Sequence, residues 1–307
     1  RDAGGALLAE IKGLHLGAPR ALDVSSSGAL AAALYETGGV LVLTVGAEGR
    51  RRGSGSVDGA TVVAAGPAGR LLAVGDDQGR VHVFEATASP GDVSLEISLR
   101  SLWSGGAEPG ERQLGRGAAA VTDLTFSPDG SRLLASSRER WIDEWVASSG
   151  EPAGPGRQVL GQRWVRYLPD GTRVAAIGRS WSTVRVDPAP SAGGHGGGRV
   201  FPEVRHDDAH SSLEVVGGEV PLVATGSRDG SVLVWKAENG ALMARFGVHG
   251  GPVLDIHAGF PGAVVSTSSD GSVALWPIDG TGPALGRMPR GLLAMERQRL
   301  ERDAGVR

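Results

Sequence analysis

Two short stretches of the chain repeat an acidic residue beside a glycine, a combination that can serve catalysis or metal binding. "GSRDGSVLVW" contains Asp229 and "SSDGSVALW" contains Asp270. A carboxylate in a tight turn can act as a general acid, a general base or a metal ligand, and it can also close the turn by accepting backbone N–H groups. Trp235 and Trp276 end the two stretches and lie 41 residues apart. Because two copies of one repeat unit rarely both carry the same active site, the repetition favours a structural role for both aspartates.

Three other stretches resemble chemical motifs, and each has a simpler interpretation. "RHDDAH" (205–210) holds two histidines and two aspartates, which suit zinc or manganese, but its spacing matches no standard zinc pattern. "GHGGGR" (194–199) resembles the oxyanion loop of lipases, but no G-x-S-x-G elbow accompanies it. "RRRGSG" (50–55) is interpreted as a solvated turn, since no Walker A sequence is present. We therefore expect no catalytic residue, no metal and no cofactor.

Composition limits the partners and the compartment. The chain has 307 residues and a formal net charge of −3, which argues against a nucleic-acid or anionic-membrane surface. Cysteine is absent, which excludes disulfides and thiol chemistry and fits a reducing compartment, so we expect a cytoplasmic location. No apolar run approaches the roughly 18 residues that a membrane span needs. The arginine-rich, lysine-poor composition suggests a bacterial source, and the start at "RDAGG" suggests a piece of a larger multidomain protein.

Many short strands are predicted, because glycine is abundant and apolar residues alternate in short runs. "GAVVSTSSDGSVALW" is an alternating run, a tight Asp-Gly turn and a second alternating run, which is the pattern of a β-hairpin. "VLDIHAGFPG" and "ALMARFGVHG" precede it as two more strands of the same unit. The template recurs in six units, which end at Leu43, Phe84, Trp145, Val186, Trp235 and Trp276. Four strands in a unit of about 40 residues is typical of a propeller blade.

The turn sequences of these units resemble those of WD40-repeat proteins. "FSPDG" (126–130), "LPDG" (168–171), "SRDGSVLVW" and "SSDGSVALW" carry the resemblance, which is strongest in the last two units. The Trp-Asp pair that gives the family its name is not intact, since Lys236 follows Trp235 and Pro277 follows Trp276. The resemblance implies an all-β protein, a WD40-like β-propeller of four-stranded antiparallel blades. Six blades are readable and seven are possible.

The ends of the propeller are predicted from the same template. "ALLAEIKGL" (6–14) and "GPALGRM" (282–288) compete to supply the outer strand of the last blade. We expect residues 1–288 to form one propeller domain. Residues 289–307 are expected to form a helical tail or linker, because no Gly or Pro interrupts 292–303 and Arg297 and Glu301 form an i,i+4 pair.

The resemblance also implies a buried network that explains the aspartates. In the family, a histidine, a Ser or Thr of the second strand, the turn Asp and the third-strand Trp bond together. The matching residues in the fifth unit are His206, Thr225 or Ser227, Asp229 and Trp235, and those in the sixth are His249, Ser266 or Ser268, Asp270 and Trp276. The other four units lack the set, with Thr37, Gln78, Glu139 and Trp181 at the turn, so we expect apolar packing alone to hold them together.

A partner-binding face follows from the same resemblance, because partners of WD40 propellers dock on two positions in each blade. The residues just before the turn acid are Glu36, Asp77, Arg138, Ser180, Arg228 and Ser269. The residues at the start of the first strand are Arg20, Thr61, Thr122, Arg163, Leu213 and Leu254. Four arginines predict a modestly basic patch that Glu36 and Asp77 oppose, suited to an acidic or mixed-charge protein segment.

The predicted function is a non-catalytic protein-interaction module, a docking scaffold or sensor within a larger signalling or regulatory protein. One alternative is a propeller enzyme, such as a glycosidase or a quinone-dependent dehydrogenase, which needs acidic residues converging on the channel or a bound cofactor. Another alternative is a purely structural scaffold for a homo-assembly. No nucleic acid and no membrane is expected as a partner, whereas other domains of the same polypeptide are.

Overall fold

The described part of the chain consists of β-strands joined by turns and loops. The computed structural model describes residues 18–46, 49–87, 98–105, 119–138, 141–153, 157–158, 162–171, 173–178, 184–188, 199–201, 206–247, 249–260 and 263–278. In this described part there is no helix long and apolar enough to cross a membrane.

The strands form six antiparallel sheets that follow one another along the chain, and we name them blades 1 to 6. Blade 1 comprises β1 (Pro19–Val24), β2 (Leu30–Tyr35), β3 (Gly39–Gly46) and β4 (Gly49–Ser56). Blade 2 comprises β5 (Ala60–Ala65), β6 (Leu71–Asp76), β7 (Val81–Thr87) and β8 (Ser98–Gly105). Blade 3 comprises β9 (Val121–Phe126), β10 (Arg132–Ser137), β11 (Trp141–Val146) and β12 (Arg157–Gln158).

The second half of the chain repeats the pattern. Blade 4 comprises β13 (Gln162–Tyr167), β14 (Arg173–Gly178), β15 (Val184–Pro188) and β16 (Arg199–Phe201). Blade 5 comprises β17 (His210–Val216), β18 (Leu222–Ser227), β19 (Ser231–Lys236) and β20 (Leu242–Gly247). Blade 6 has three described strands, β21 (Val253–Phe260), β22 (Ala263–Ser268) and β23 (Val273–Pro277).

The core lies between the blades. First strands of successive blades, from β1 through β21, pack side by side, so these strands are the innermost of each blade. Alternate residues of a strand then face the preceding and the following blade. Leu213 and Trp235 of blade 5 pack against Leu168 and Val186 of blade 4. On the other face of blade 5, Phe246 stacks on Trp276 of blade 6 with ring centroids 4.5 Å apart.

Every blade carries a β-bulge near the start of its innermost strand. The register shifts between Pro19 and Ala21, Ala60 and Val62, Val121 and Asp123, Gln162 and Val165, His210 and Ser212, and Val253 and Asp255. A bulge leaves one residue outside the ladder and re-aims its side chain. The same irregularity in six places makes it part of the repeat.

The six predicted units and their hairpins are confirmed as six blades. One strand assignment is wrong: "ALMARFG" (241–247), which we placed in the last unit, forms β20 and pairs with β19 in blade 5. The reason is topological, because the chain completes a blade at its outer edge before it enters the next. The competing strands at 6–14 and 282–288, the helix at 289–307 and the domain bounds lie outside the described residues.

Candidate interaction face

The b–c turn, between the second and third strands of a blade, meets the entry loop, which we define as the residues that lead into the first strand. In blade 6 a series of hydrogen-bonded, largely buried side chains lies next to this turn. Trp276 Nε1 donates to Ser266 Oγ at 2.7 Å, and His249 Nε2 lies 2.7 Å from the same oxygen. His249 Nδ1 lies 2.7 Å from Ser272 Oγ.

The directions of these bonds follow from the donors available. An indole N–H can only donate, so Ser266 Oγ accepts from Trp276. The Ser272 hydroxyl bonds the Asp270 carboxylate, which can only accept, so Ser272 Oγ accepts from His249 Nδ1. His249 therefore carries its hydrogen on Nδ1 and donates to Ser272. Burial lowers the pKa of His249, which keeps the ring neutral as this arrangement requires.

Blade 5 repeats the two histidine bonds of this series, with Thr225 in place of Ser266. His206 Nε2 lies 2.9 Å from Thr225 Oγ1, and His206 Nδ1 lies 2.6 Å from Ser231 Oγ. Burial and the neighbouring His210 ring lower the pKa of His206 to about 3. Between the alternatives that the sequence left open, the histidines therefore bond Thr225 and Ser266. Ser227 and Ser268 instead accept from the amides of Asp229 and Asp270 at 3.2 and 3.3 Å and donate to carbonyls of the entry loops.

Both turn aspartates fasten the b–c turn to the entry loop. Asp229 accepts from the amides of Ser231 and Asp207 at 2.7 and 2.8 Å, and Asp270 accepts from those of Ser272 and Gly250 at 2.8 and 2.6 Å. The hydrogen bond from the Ser272 side chain and those from the backbone lower the pKa of Asp270 to about 2. A structural role for both carboxylates therefore fits their contacts.

The expected direct bond between histidine and aspartate is not made. The nearest nitrogen–oxygen distances are 3.8 Å for His206 and Asp229 and 3.9 Å for His249 and Asp270. Ser231 and Ser272 are the closer partners of the two rings. Sequence reasoning missed both serines, although the repeated "DGS" was the available signal.

One main-chain hydrogen bond recurs wherever the structure describes a b–c turn. In each case the donor is the amide of the residue just before the position that Asp229 and Asp270 occupy in blades 5 and 6. It donates to a carbonyl of the entry loop at 2.9–3.0 Å. The five pairs are Glu36 with Ala18, Asp77 with Gly59, Arg138 with Ala120, Arg228 with Ala209, and Ser269 with Pro252. All five residues are exposed. We call the surface formed by the b–c turns and entry loops the entry face.

The bulge residues, at the start of the first strand of each blade, are the second set that we predicted for this face. Their exposure differs from blade to blade. Arg20 is exposed, and its guanidinium lies 3.5 Å from the Ala60 carbonyl. Thr61 and Thr122 are half-buried, with Thr61 Oγ1 2.7 Å from the Val121 carbonyl and Thr122 Oγ1 3.0 Å from Ser136 Oγ. Their hydroxyls therefore serve contacts inside the protein. The Arg163 side chain and Ser180 lie outside the described residues.

Leu213 was wrongly predicted to reach this face. It is 1% exposed and packs in the core between blades 4 and 5. The bulge residue of blade 5 is Ser211, two positions earlier, because the extra residue shifts the alternation of the strand. Leu254, its counterpart in blade 6, is 58% exposed.

The expectation that apolar packing alone holds the other blades is also wrong. In blade 2 the buried Asp76 accepts from Arg80 Nε at 2.7 Å and lies 3.1 Å from His82 Nε2. Between blades 3 and 4, Tyr167 donates to the buried Glu144 at 2.6 Å, and Arg132 pairs with the same carboxylate at 3.3 Å. Other polar residues make the buried contacts in these blades: Asp76 lies two positions before Gln78, which occupies the expected turn position, and Glu144 lies outside the turn.

Charged residues of the innermost strands form a network that sequence reasoning missed. Arg166 of blade 4 pairs with Asp123 of blade 3 at 2.5 Å and with Glu214 of blade 5 at 3.4 Å. Asp123 also accepts from the Val165 amide at 2.8 Å, and Asp23 of blade 1 accepts from the Ala65 amide at 2.7 Å.

Burial sets the protonation behaviour of these carboxyls. It raises the pKa of Asp123 to about 6, against the effect of Arg166, and it raises the pKa values of Asp23 and Glu214. The signal in the sequence was a charged residue at an inward position of an otherwise apolar strand.

Carboxylates of the innermost strands do lie close to one another, and they bond to Arg166 and to backbone amides. In the part of the chain that the structure describes, no three or more His, Asp or Glu side chains are grouped so as to hold a metal ion. The "RHDDAH" stretch is divided accordingly: His206 and His210 are buried in edge-to-face contact, while the exposed Asp207 pairs with Arg245 at 3.2 Å.

Comparisons with known proteins agree with this architecture. Residues 112–149, which include β9 to β11, match the family model described as "WD domain, G-beta repeat". A search of curated proteins finds no match. Among solved structures, the Cps50 (Swd1) β-propeller domain of Myceliophteria thermophila matches with a TM-score of 0.62 and 11% identity, over 85% of this chain and 83% of that chain.

Proposed function

Since the chain is a WD40-type β-propeller, we propose that it is a non-catalytic protein-interaction module that binds a partner protein on its entry face. Propellers of this kind are typically interaction scaffolds, so the fold supports the general class. Contacts on the entry face support the choice of surface.

The main-chain bond between b–c turn and entry loop is the observation that carries the proposal. It fixes the position of Glu36, Asp77, Arg138, Arg228 and Ser269 without using their side chains. A binding surface gains affinity when its backbone is already in place, because less conformational freedom is lost on association. The entry face therefore combines a rigid frame with exposed side chains.

Charge on the entry face suggests the chemistry of the partner. Arg20, Arg138 and Arg228 are exposed, and so are Glu36 and Asp77. Arginine binds carboxylates bidentately and stacks on planar groups, which makes it effective in interfaces. We propose an acidic or mixed-charge protein segment as the partner, and a larger cytoplasmic signalling protein as the setting.

A charge-reversal experiment tests the proposal. The full-length protein is used as bait, with Arg20, Arg138 and Arg228 each changed to Glu, and captured partners are quantified by mass spectrometry. The control is Arg70→Glu, because Arg70 follows an a–b turn at the opposite end of blade 2 and is also exposed. Loss of a partner in the triple variant but not in the control supports the entry face. A partner set unchanged by the triple variant contradicts it.

A further inference from the structure

We propose that Ser104, on the outermost strand of blade 2, is a nucleophile that accepts an acyl group from an activated ester. His82 acts as its general base, and Asp76 orients the imidazole. The inference goes beyond the proposed function and does not depend on it. It starts from these three side chains, which lie on the neighbouring strands β6, β7 and β8 and bond in series.

The three side chains have the spacing of a nucleophile, a base and an orienting acid. His82 Nδ1 lies 2.9 Å from Ser104 Oγ, and His82 Nε2 lies 3.1 Å from Asp76 Oδ2. Both distances are within hydrogen-bond reach, roughly 2.6–3.2 Å. A hydroxyl group bonded to an imidazole that a third group orients is the general arrangement of an activated serine, whatever the order of the residues in the sequence.

The carboxylate of Asp76 is itself fixed by several donors. It accepts from the amides of Gln78 and Arg80 at 2.9 and 2.8 Å and from Arg80 Nε at 2.7 Å. Burial alone would raise the pKa of Asp76, but the hydrogen bonds from His82 and Arg80 hold it below its ordinary value. Asp76 is therefore an ionised acceptor that keeps the imidazole ring in one orientation.

The ionised carboxylate decides which nitrogen of His82 carries the hydrogen. Asp76 can only accept, so in the neutral ring Nε2 donates to it and Nδ1 is left as an acceptor. The Ser104 hydroxyl then donates its hydrogen to Nδ1. This is the direction in which a general base takes a proton from a nucleophile.

Exposure increases from the acid to the nucleophile. The side chain of Asp76 is 0% exposed and that of His82 is 16% exposed, whereas Ser104 is an exposed residue. A small ester in solution therefore has access to Ser104 Oγ. The bond between imidazole and carboxylate is shielded from water, which strengthens it.

The structural repeat does not impose a histidine at position 82. His82 is the second residue of its strand to pair with β6, counted from the b–c turn. The residues at the same register position in the other blades are Leu41, Asp143, Arg185, Leu233 and Ala274. A feature that one blade has and its counterparts lack is not explained by the architecture that they share.

The proposed reaction transfers an acyl group to the protein. Ser104 Oγ attacks the carbonyl carbon of the ester while His82 Nδ1 takes the hydroxyl proton. The bond to the leaving alcohol then breaks, the alcohol departs with the proton from His82, and Ser104 keeps the acyl group as an ester. The inference is limited to this single acylation, because rapid turnover also needs donors placed for the tetrahedral oxyanion.

Acetylation of the full chain by p-nitrophenyl acetate tests the proposal, with peptide mass spectrometry to follow each serine over time. Ser101 is the internal control, since it is exposed on the same strand and pairs with Phe84 instead of a histidine. We expect Ser104 to be acetylated about a hundredfold faster than Ser101, an effect of the size that a general base gives. Comparable rates at the two serines, or acetylation of His82 without Ser104, overturn the proposal.

The variant His82→Gln separates reactivity from structure. Glutamine still offers a donor and an acceptor to Asp76 and Ser104 but does not take up a proton, so acetylation of Ser104 should fall to the rate of Ser101. Circular dichroism checks that the variant is folded. Undiminished acetylation of Ser104 in the folded variant contradicts the role of His82. The comparison of Ser104 with Ser101 is made in the wild type, so it decides the proposal even where the variant does not fold.

Discussion

At the scale of single residues, a few buried hydroxyl groups organise the last two blades. Ser266 Oγ receives the Trp276 indole hydrogen and directs its own to His249. Histidine, aspartate and tryptophan were predictable from the sequence because their spacing repeats and their side chains are distinctive. Ser231 and Ser272 were not predicted, because which of several nearby serines reaches an imidazole depends on side-chain geometry that spacing does not specify.

Removing the Ser266 hydroxyl should destabilise the protein measurably. In Ser266→Ala, the indole N–H of Trp276 and Nε2 of His249 both lose their buried partner, and each unsatisfied group is costly. We expect the free energy of unfolding in urea to fall by about 1–3 kcal/mol. Ser269→Ala, at an exposed turn position, should change it by less than about 0.5 kcal/mol. Equal effects in the two variants contradict the network.

His206 should make stability depend on pH below neutrality. Its pKa is lowered to about 3 in the folded state, whereas an unfolded histidine titrates near 6.5. Between these values the unfolded chain binds one more proton, so stability is present above pH 6.5 and is lost as the pH falls, by about 1.4 kcal/mol per pH unit. His206→Asn should flatten this slope by about one proton in urea titrations between pH 6.5 and 4.5. A slope identical to that of the wild type contradicts a neutral buried ring.

At the scale of elements, neighbouring blades fit together through glycines of the second strand. A Cβ at Gly226 would lie 2.5 Å from Val253 Cγ1 and equally close to Ser212 Oγ of its own blade, and a Cβ at Gly75 would lie 2.6 Å from Val121 Cβ. Strand positions and hairpins were predictable, since alternation and turn residues are local. The face on which a residue lies was not always predictable, because a bulge reverses the alternation of the strand. For this reason we assigned the outward position of blade 5 to Leu213, whereas the bulge residue is Ser211.

Gly226→Ala should cost stability through overpacking, by about 1–3 kcal/mol. Val253→Ala leaves a cavity and is also destabilising alone. In the double variant the contact with Val253 Cγ1 is removed while that with Ser212 Oγ remains, so the combined loss should be smaller than the sum of the single losses but should still exceed that of Val253→Ala alone. Urea unfolding of the four proteins measures this coupling.

Gly217→Ala is the control for the glycine experiment, since no described atom lies within 4 Å of its Cβ position. Its free energy of unfolding should stay close to that of the wild type. Strictly additive losses at Gly226 and Val253 would contradict the proposed fit between blades 5 and 6.

At the scale of the whole molecule, Arg166 links blades that are distant in sequence. It pairs with Asp123 and Glu214, which lie 43 and 48 residues away in the chain. The order and number of readable blades followed from the repeat, but this network did not. Its members come together only when the innermost strands are placed side by side, and no local pattern marks one charge as the partner of another.

Arg166→Leu should strongly destabilise the protein at pH 7.5, because it leaves two carboxylates in a largely buried site without their cation. We expect a loss of about 3 kcal/mol in the free energy of unfolding. Burial raises the pKa of Asp123 to about 6, so above that pH the folded state holds a charge that the unfolded chain solvates better. Protonation relieves this penalty, so the loss relative to wild type should shrink at pH 5. Arg70→Leu, at an exposed site, should show a small loss at both pH values. A loss for Arg166→Leu that stays constant between the two pH values contradicts the network.

The bulge at the start of each innermost strand allows one residue to change without altering the paired residues beside it. Its extra residue lies outside the hydrogen-bonded ladder, while the neighbours on either side remain paired in it. Side chains as different as Arg20, Ser211 and Leu254 occupy this position in blades of the same architecture. Substitution at the exposed bulge residues, such as Arg20 and Leu254, can therefore change the surface chemistry of one blade at a time, and a new specificity can arise there without a compensating change in the core.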